Sequence, residues 1–357
     1  MKRVLVFAGI TLAILCQLSC SPDEQQTQSE NPITDNSTGV LNAPRFVGDV
    51  VLENMYEDEV RKLASKTPLE LITVLEGTSK VILQARLRSV RDNGPFGTPV
   101  YECELIDESA EIAAGMSGSP VGPPGRVMGA LAFAYSYSKP PYRFLVTPID
   151  YMETAIEHPT LGEFLEEEGA PGAPALAINA LYGPVKTPMV ITGIQPHRIP
   201  ELSSHLSNSK FNFVEMFGDI GGAPAAPPVG ATTQLSAGDM IGAAVVTGDV
   251  TNLIGFGTVT QVYEDKFVAF GHPFLADGKS ALPIYRAVTH GILSRLVLST
   301  KSVSAYGTPI GMISKDLYPA IVGELGEGFI VTGSKEEQIT IKVGDIGNGG
   351  LPIEGLE

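Results

Sequence analysis

The sequence predicts a mainly β protein. Three observations carry that expectation. The 357 residues include 39 glycines and 27 prolines, which cut the chain into short stretches. Several of those stretches alternate apolar and polar residues with the period of a half-buried strand. There is no tryptophan and only 18% of residues are charged, a composition that favours short strands and turns over long solvated helices. At roughly 150 residues per domain the length allows about two domains and a sizeable core.

The elements follow in order. Lys2 and Arg3 precede an apolar run from Val4 to Leu15, so residues 1–19 read as a secretory signal, too short for a membrane span. Cys20 then opens the polar stretch "CSPDEQQTQSENP", and the Ser19-Cys20 junction resembles a bacterial lipoprotein processing site, with Gln17 standing where an aliphatic residue is usual. An acylated Cys20 would tether the chain to a membrane, with residues 20–45 as a leash.

Residues 46–158 form a first unit: a short helix, a strand over Leu69 to Leu75, and a strand "VILQARLRSV" with Val81, Leu83, Ala85 and Leu87 on one face. The pair Asn93-Gly94 turns the chain into a further strand, "PVYECELI". Pro123, Pro124 and Gly125 make a turn before an apolar strand from Val127 to Tyr135. Thr147 is placed to cap a helix beginning at Pro148, with Ile149, Met152 and Ile156 on one face. Residues 159–235 read as a bridging section, with linkers at "EEEGAPGAPA" and "GDIGGAPAAPPVG", a strand at "PMVITGI" and a helix near 201–209. Residues 236–345 return to the β pattern, and 346–357 form a tail.

Charge and cysteine usage exclude several classes. Loss of the signal removes Lys2 and Arg3, leaving 22 of the 24 basic residues against 40 acidic ones, a net of −18. Such a surface lacks the basic face that nucleic-acid binding needs. Cys16 leaves with the signal and Cys20 is the lipidation candidate, so Cys103 has no disulfide partner. No metal-ligand spacing such as CxxC or HExxH occurs, and no metal or other cofactor is expected.

The stretch "GMSGSP", Gly115 to Pro120, is either a turn of small residues or a nucleophile loop. A serine hydroxyl needs a positioned base, most often histidine. His158 sits at a helix end and His197 and His205 lie in the polar bridging section, where capping or surface roles are expected. His272 stands apart, because "FVAFGHPFLADG" holds it between Gly271 and Pro273 directly after an apolar strand. His290 in "VTHGIL" is its nearest rival.

The segment "EIAAGMSGSPVGPPGRVMGALAFAYSYSKPPYRFLVTPIDYM" resembles the serine region of the SpoIVB peptidase family of serine endopeptidases, and "STKSVSAYGTPIGMISKDLYPAIVGELG" resembles the segment after that family's histidine. The likeness covers roughly residues 65–155 and 236–330. It implies Ser117 as nucleophile, His272 as general base, and two chymotrypsin-like β-barrel units with the reacting groups between them. Backbone N–H groups of Gly115 and Ser117 would then face the oxyanion, where such donors contribute roughly 3 to 4 kcal/mol each. In that family the histidine module precedes the serine module. Here the order is swapped, which a circular permutation through residues 159–235 would reconcile, since triads are defined by geometry rather than chain order. The acid falls on Glu102 by ungapped match, with Asp107 and Asp277 as alternatives. The function implied is an exported serine endopeptidase that acts on envelope proteins or peptides through an acyl-enzyme. The alternative is a non-catalytic, peptidase-like lipoprotein that binds or regulates partners. Oligomeric state is not legible in the sequence.

Overall fold

A computed structural model describes residues 45–326, except 95–97, 108–109, 136–139, 159–181, 199, 202–212, 220–227, 229–233, 248–251, 276–277 and 297–298. The signal, Cys20, most of the leash, the helix expected near 201–209, Asp277 and the tail lie outside the described residues. The chain is mainly β and builds two barrel-like units, as expected.

The first unit runs β1 (Arg45–Val47), β2 (Glu53–Asn54), α1 (Glu57–Val60), β3 (Pro68–Glu76), β4 (Ser79–Arg91), β5 (Val100–Leu105), β6 (Ala113–Ala114), β7 (Pro120–Gly122), β8 (Arg126–Val127), β9 (Gly129–Tyr135), β10 (Arg143–Pro148) and α2 (Ile149–Glu157). Strands β4, β3, β7, β9, β10 and β5 pair antiparallel in that order, and β5 returns to β4, closing a six-stranded ring. Closure leaves no sheet edge within the ring. Leu69, Leu71, Leu83, Tyr101 and Phe144 fill it, and each such side chain contributes roughly 1.5–3 kcal/mol by leaving water. The alternation in β4 holds, with Val81, Leu83, Ala85 and Leu87 all buried.

The chain continues through β11 (Tyr182–Pro184), β12 (Thr187–Thr192), a 3-10 turn at Pro196–Arg198 and β13 (Phe213–Asp219). It then forms β14 (Met240–Val246), β15 (Leu253–Tyr263), β16 (Lys266–Ala269), β17 (Gly278–Leu293), β18 (Ser299–Asp316) and β19 (Ile321–Leu325). Strands β15, β14, β17, β18, β19 and β16 form a second antiparallel ring, closed by β16 on β15. Ile241, Phe267, Phe270, Ile284 and Ile313 lie in its core. A third apolar cluster joins the barrels, because Ile72, Ile82 and Ala130 pack with Met152 of α2 and with Val268 and Val322.

Short strands link the barrels in two places. β6, just before the serine turn, adds in parallel to β18 of the second barrel, with Ala113 opposite Ser299 and Ala114 opposite Thr300. β11 adds to β9 of the first barrel, while β12 adds to β15 of the second. The bridging section thus contributes a strand to each barrel. One helix expectation is corrected: α2 starts at Ile149 with Pro148 in the cap position, and no side chain caps it. The Thr147 hydroxyl instead donates to the Gly271 carbonyl across the barrels, at 2.6 Å.

Candidate functional site

The serine turn sits where the barrels meet, and every residue from Ala113 to Val121 is buried. Gly115 and Gly118 both take φ +91, in the left-handed region that glycine tolerates without strain. Gly118 is also a close-packing requirement. A Cβ there would lie 1.9 Å from the Thr258 carbonyl oxygen and 2.5 Å from the Phe270 nitrogen. Second-barrel groups hold the turn: Thr258 N–H donates to Ser117 O at 2.8 Å, and the Thr260 hydroxyl donates to Gly118 O at 2.7 Å. Small residues and two glycines at positive φ therefore seat one barrel's turn against the other barrel's strand β15.

Ser117 is fully buried, and among the described residues its Oγ has no hydrogen-bond partner. His272 is buried too, with Phe133 and Phe270 rings 6.5 Å and 6.3 Å from its own. Its loop is fixed from β18, where the Asp316 carboxylate accepts the N–H groups of Phe274, at 2.8 Å, and Leu275. Nδ1 lies 2.8 Å from Pro273 O and Nε2 lies 2.9 Å from Val185 O. Burial pushes the imidazole below its ordinary range, against the opposing pull of these two carbonyls. A neutral imidazole has one N–H and one lone pair, so it satisfies only one of the two carbonyl oxygens. The structure therefore does not join His272 to Ser117 by a hydrogen bond.

Two further expectations are corrected. Glu102, on β5, accepts from Tyr182 Oη at 2.7 Å, from Arg91 at 2.7 Å and from Ser89 at 3.1 Å, none of which is His272. Burial raises its carboxyl, but the Tyr182 hydroxyl and the Arg91 guanidinium more than offset that and hold it below the ordinary range. It is an anchor for Tyr182, with no contact to the imidazole. Gly115 N–H donates to Lys186 O at 3.1 Å, so in this conformation it is not free to face an oxyanion. Asp107, one of the two alternative acids, is buried after β5, and His158, for which a capping or surface role was expected, is buried at the C-cap of α2, its backbone N–H donating to Thr154 O. His290 is exposed and pairs with Ser304 at 2.8 Å.

One segment makes both the Gly115 and the His272 contacts. Val185 N–H donates to Ala132 O at 2.7 Å, extending the pairing of β11 with β9. Val185 O meets His272, Lys186 O meets Gly115, and Pro188 Cγ would stand 3.1 Å from a Cβ on Gly115. Residues 185–188 lie across the serine turn and the histidine together. Tyr182 moors this strap through Glu102, through edge-on packing on Tyr135 with centroids 4.8 Å apart, and under the Arg91 guanidinium at 5.5 Å.

A residue that the sequence reading passed over lies beneath the turn. Lys301, on β18, is fully buried, and its Nζ lies 2.9 Å from Thr73 Oγ1 and 3.2 Å from Met240 Sδ. Thr73 Oγ1 in turn accepts from Ser119 Oγ at 3.1 Å. Burial alone lowers the amine to about 7. A neutral amine is a proton acceptor, which an ordinary lysine at neutral pH is not. Its signal was in the strand period, since Lys301, Val303 and Ala305 share one face of β18 and all are buried.

Among the described residues no group of three or more His, Cys, Asp or Glu side chains is arranged to hold a metal ion. No helix among them is long and apolar enough to cross a membrane. Comparison with family models, curated proteins and solved structures gives no match.

Proposed function

We propose that this chain is an exported, lipid-anchored serine endopeptidase, acting on envelope proteins or peptides through an acyl-enzyme on Ser117, with the fold a permuted pair of chymotrypsin-like barrels. The observation that carries the reading is the Ser117 hydroxyl. It is a fully buried polar atom without a hydrogen-bond partner among the described residues, in a glycine-built turn between two closed barrels. Leaving such a group unpaired costs roughly 1–3 kcal/mol, and a catalytic role is one reason a fold keeps one. Among the described residues Arg86 Nε, Tyr101 Oη, Arg126 Nε, Asp150 Oδ1 and Thr289 Oγ1 share that state, and of these atoms Ser117 Oγ is the nucleophile type set in a glycine-built turn. The GMSGSP sequence and the Gly-His pair after an apolar strand support the same reading. In it the present conformation is the closed form, and residues 185–188 move before a substrate enters and before His272 turns from Val185 O towards the serine.

A second reading has its own observation: both His272 nitrogens face main-chain carbonyls and Ser117 contacts no base. That arrangement suits a peptidase-like lipoprotein that binds or regulates partners without chemistry. Labelling the full chain, purified in detergent, with a fluorophosphonate and mapping the modified residue separates the two. The peptidase reading expects the label to map to Ser117 in the wild type. A folded wild type with no labelled residue in the serine turn leaves the binding protein.

A further inference from the structure

Among the described residues, the hydroxyl of the turn that hydrogen bonds connect to a basic side chain is that of Ser119. Its Oγ donates to Thr73 Oγ1 at 3.1 Å, and Thr73 Oγ1 lies 2.9 Å from the Lys301 amine. All three residues are buried. The amine is placed by backbone pairing as well as packing, because the two residues before it, Ser299 and Thr300, pair with Ala113 and Ala114, the residues that lead into the turn. Gly115 lies against the lysine stem, where a Cβ would come within 3.3 Å of Lys301 Cδ.

Nothing in the surroundings explains the amine as a charge. Among the described residues, Thr73 on β3 and Met240 on β14 are its only hydrogen-bond partners, both neutral, and no charged side chain acts on it. Buried lysines elsewhere in this fold are handled otherwise. Lys80 is equally enclosed but meets Asp239 at 2.8 Å and Asp49 at 3.4 Å. Methionine or leucine would fill the Lys301 space without desolvating an amine. A neutral amine gives the hydroxyls a consistent direction: Ser119 O–H donates to Thr73, Thr73 O–H donates to the nitrogen lone pair, and an amine N–H points at Met240 Sδ.

We propose that Ser119, activated by Lys301 through Thr73, is a second nucleophile of this turn, taking acyl or phosphonyl electrophiles independently of Ser117 and His272. It rests on the reading of the turn as a site of acyl transfer. When Ser119 Oγ bonds to a peptide carbonyl carbon, the carbonyl π pair moves to oxygen. The serine proton passes to Thr73 Oγ1 and the Thr73 proton to Lys301 Nζ. Collapse breaks the C–N bond, and the leaving amine takes the proton back from the ammonium along the same path, leaving an ester on Ser119. With a fluorophosphonate the O–P bond forms, fluoride leaves and the proton stays on Lys301.

The test is fluorophosphonate labelling of the full chain in detergent, with the modified serine located by peptide mass spectrometry. Ser117→Ala should still be labelled, on Ser119, with a rate that rises as pH crosses about 7. Adding Lys301→Met or the isosteric Thr73→Val should slow that labelling by about 100-fold or more, the span of general-base catalysis. Thr73→Ser, which keeps the hydroxyl, should retain it, an outcome that a purely structural role of Thr73 does not require. Ser119 unlabelled in folded Ser117→Ala, or labelled at a rate indifferent to Lys301 and Thr73, overturns the proposal. Label confined to Ser117 in the wild type removes the proposal and keeps the peptidase reading. Label on neither serine removes both.

Discussion

Replacing Lys301 by methionine should change how stability depends on pH more than it changes the fold. The side chains are similar in length, and Lys301 already packs its stem against Gly115. Burial lowers the amine from 10.5 to about 7. At about 1.4 kcal/mol per tenfold, that gap corresponds to a penalty of about 5 kcal/mol for holding the charged form in the fold. The sign follows from proton counting. Between pH 7 and 10.5 the unfolded chain binds the proton and the folded chain does not, so stability rises with pH across that window. Below pH 7 both forms are protonated and the whole penalty applies. Urea unfolding of wild type and Lys301→Met at pH 6.5 and at pH 9.5 isolates the residue. The variant's advantage should shrink by about 3 kcal/mol between the two pH values, other titrations cancelling in the comparison. A difference that stays level within about 0.5 kcal/mol, near the error of the extrapolation, would refute the neutral buried amine. A lysine kept charged by an acid would give that level result, with Lys301→Met less stable than wild type at both pH values.

Tyr182→Phe removes the strap's hydrogen bond to a charged carboxylate, about 1.5–3 kcal/mol, and should speed fluorophosphonate labelling of the serine turn by about 10- to 100-fold. Hydrogen exchange at the Val185 and Gly115 amides should rise with it, whereas unchanged exchange would show that Tyr182 does not hold the strap. Gly118→Ala should cost about 3 kcal/mol or more in urea unfolding, because the new Cβ meets backbone and the φ is unfavourable. Gly125→Ala has φ +77 but open space, and should cost only about 1 kcal/mol; equal losses would mean that the barrel contact at Gly118 is loose. Asp316→Asn should leave the barrels intact but loosen the His272 loop, seen as faster exchange at the Phe274 and Leu275 amides.

The strands were legible where one face is buried and the other solvated. In β4 the period of two names the residues that line the barrel, and the turn at 123–125 falls where proline and glycine place it. Closure was not legible, since it depends on which distant strands meet: β5 returning to β4 and β16 to β15 are pairings that no local pattern encodes. The two-residue strand β6 was invisible for the same reason, although its pairing with β18 brings the serine turn to the second barrel. Thr147 shows a local rule overridden. Its position before Pro148 suits a helix cap, yet a partner 124 residues away takes the hydroxyl.

The site was legible in its residues but not in their connections, and the difference is physical. Glycine and serine spacing marks where a backbone must turn tightly, so Gly115, Ser117 and Gly118 could be singled out along the chain. Whether a base reaches a hydroxyl depends on a few tenths of an ångström between elements that meet only after closure. Glu102 illustrates the error that results, because an acid at the expected spacing found Arg91 and Tyr182 nearer than any histidine. Lys301 illustrates the opposite case. A lysine in phase with Val303 and Ala305 breaks the pattern of its own strand. A buried cation of that kind must be paired, neutral or costly, and among the described residues no carboxylate meets this one. That break was the one sequence signal for the Ser119–Thr73–Lys301 chain, and it pointed away from the histidine. If labelling follows Lys301, the glycine turn serves two hydroxyls with separate proton routes: Ser117 waiting on the strap, and Ser119 already connected.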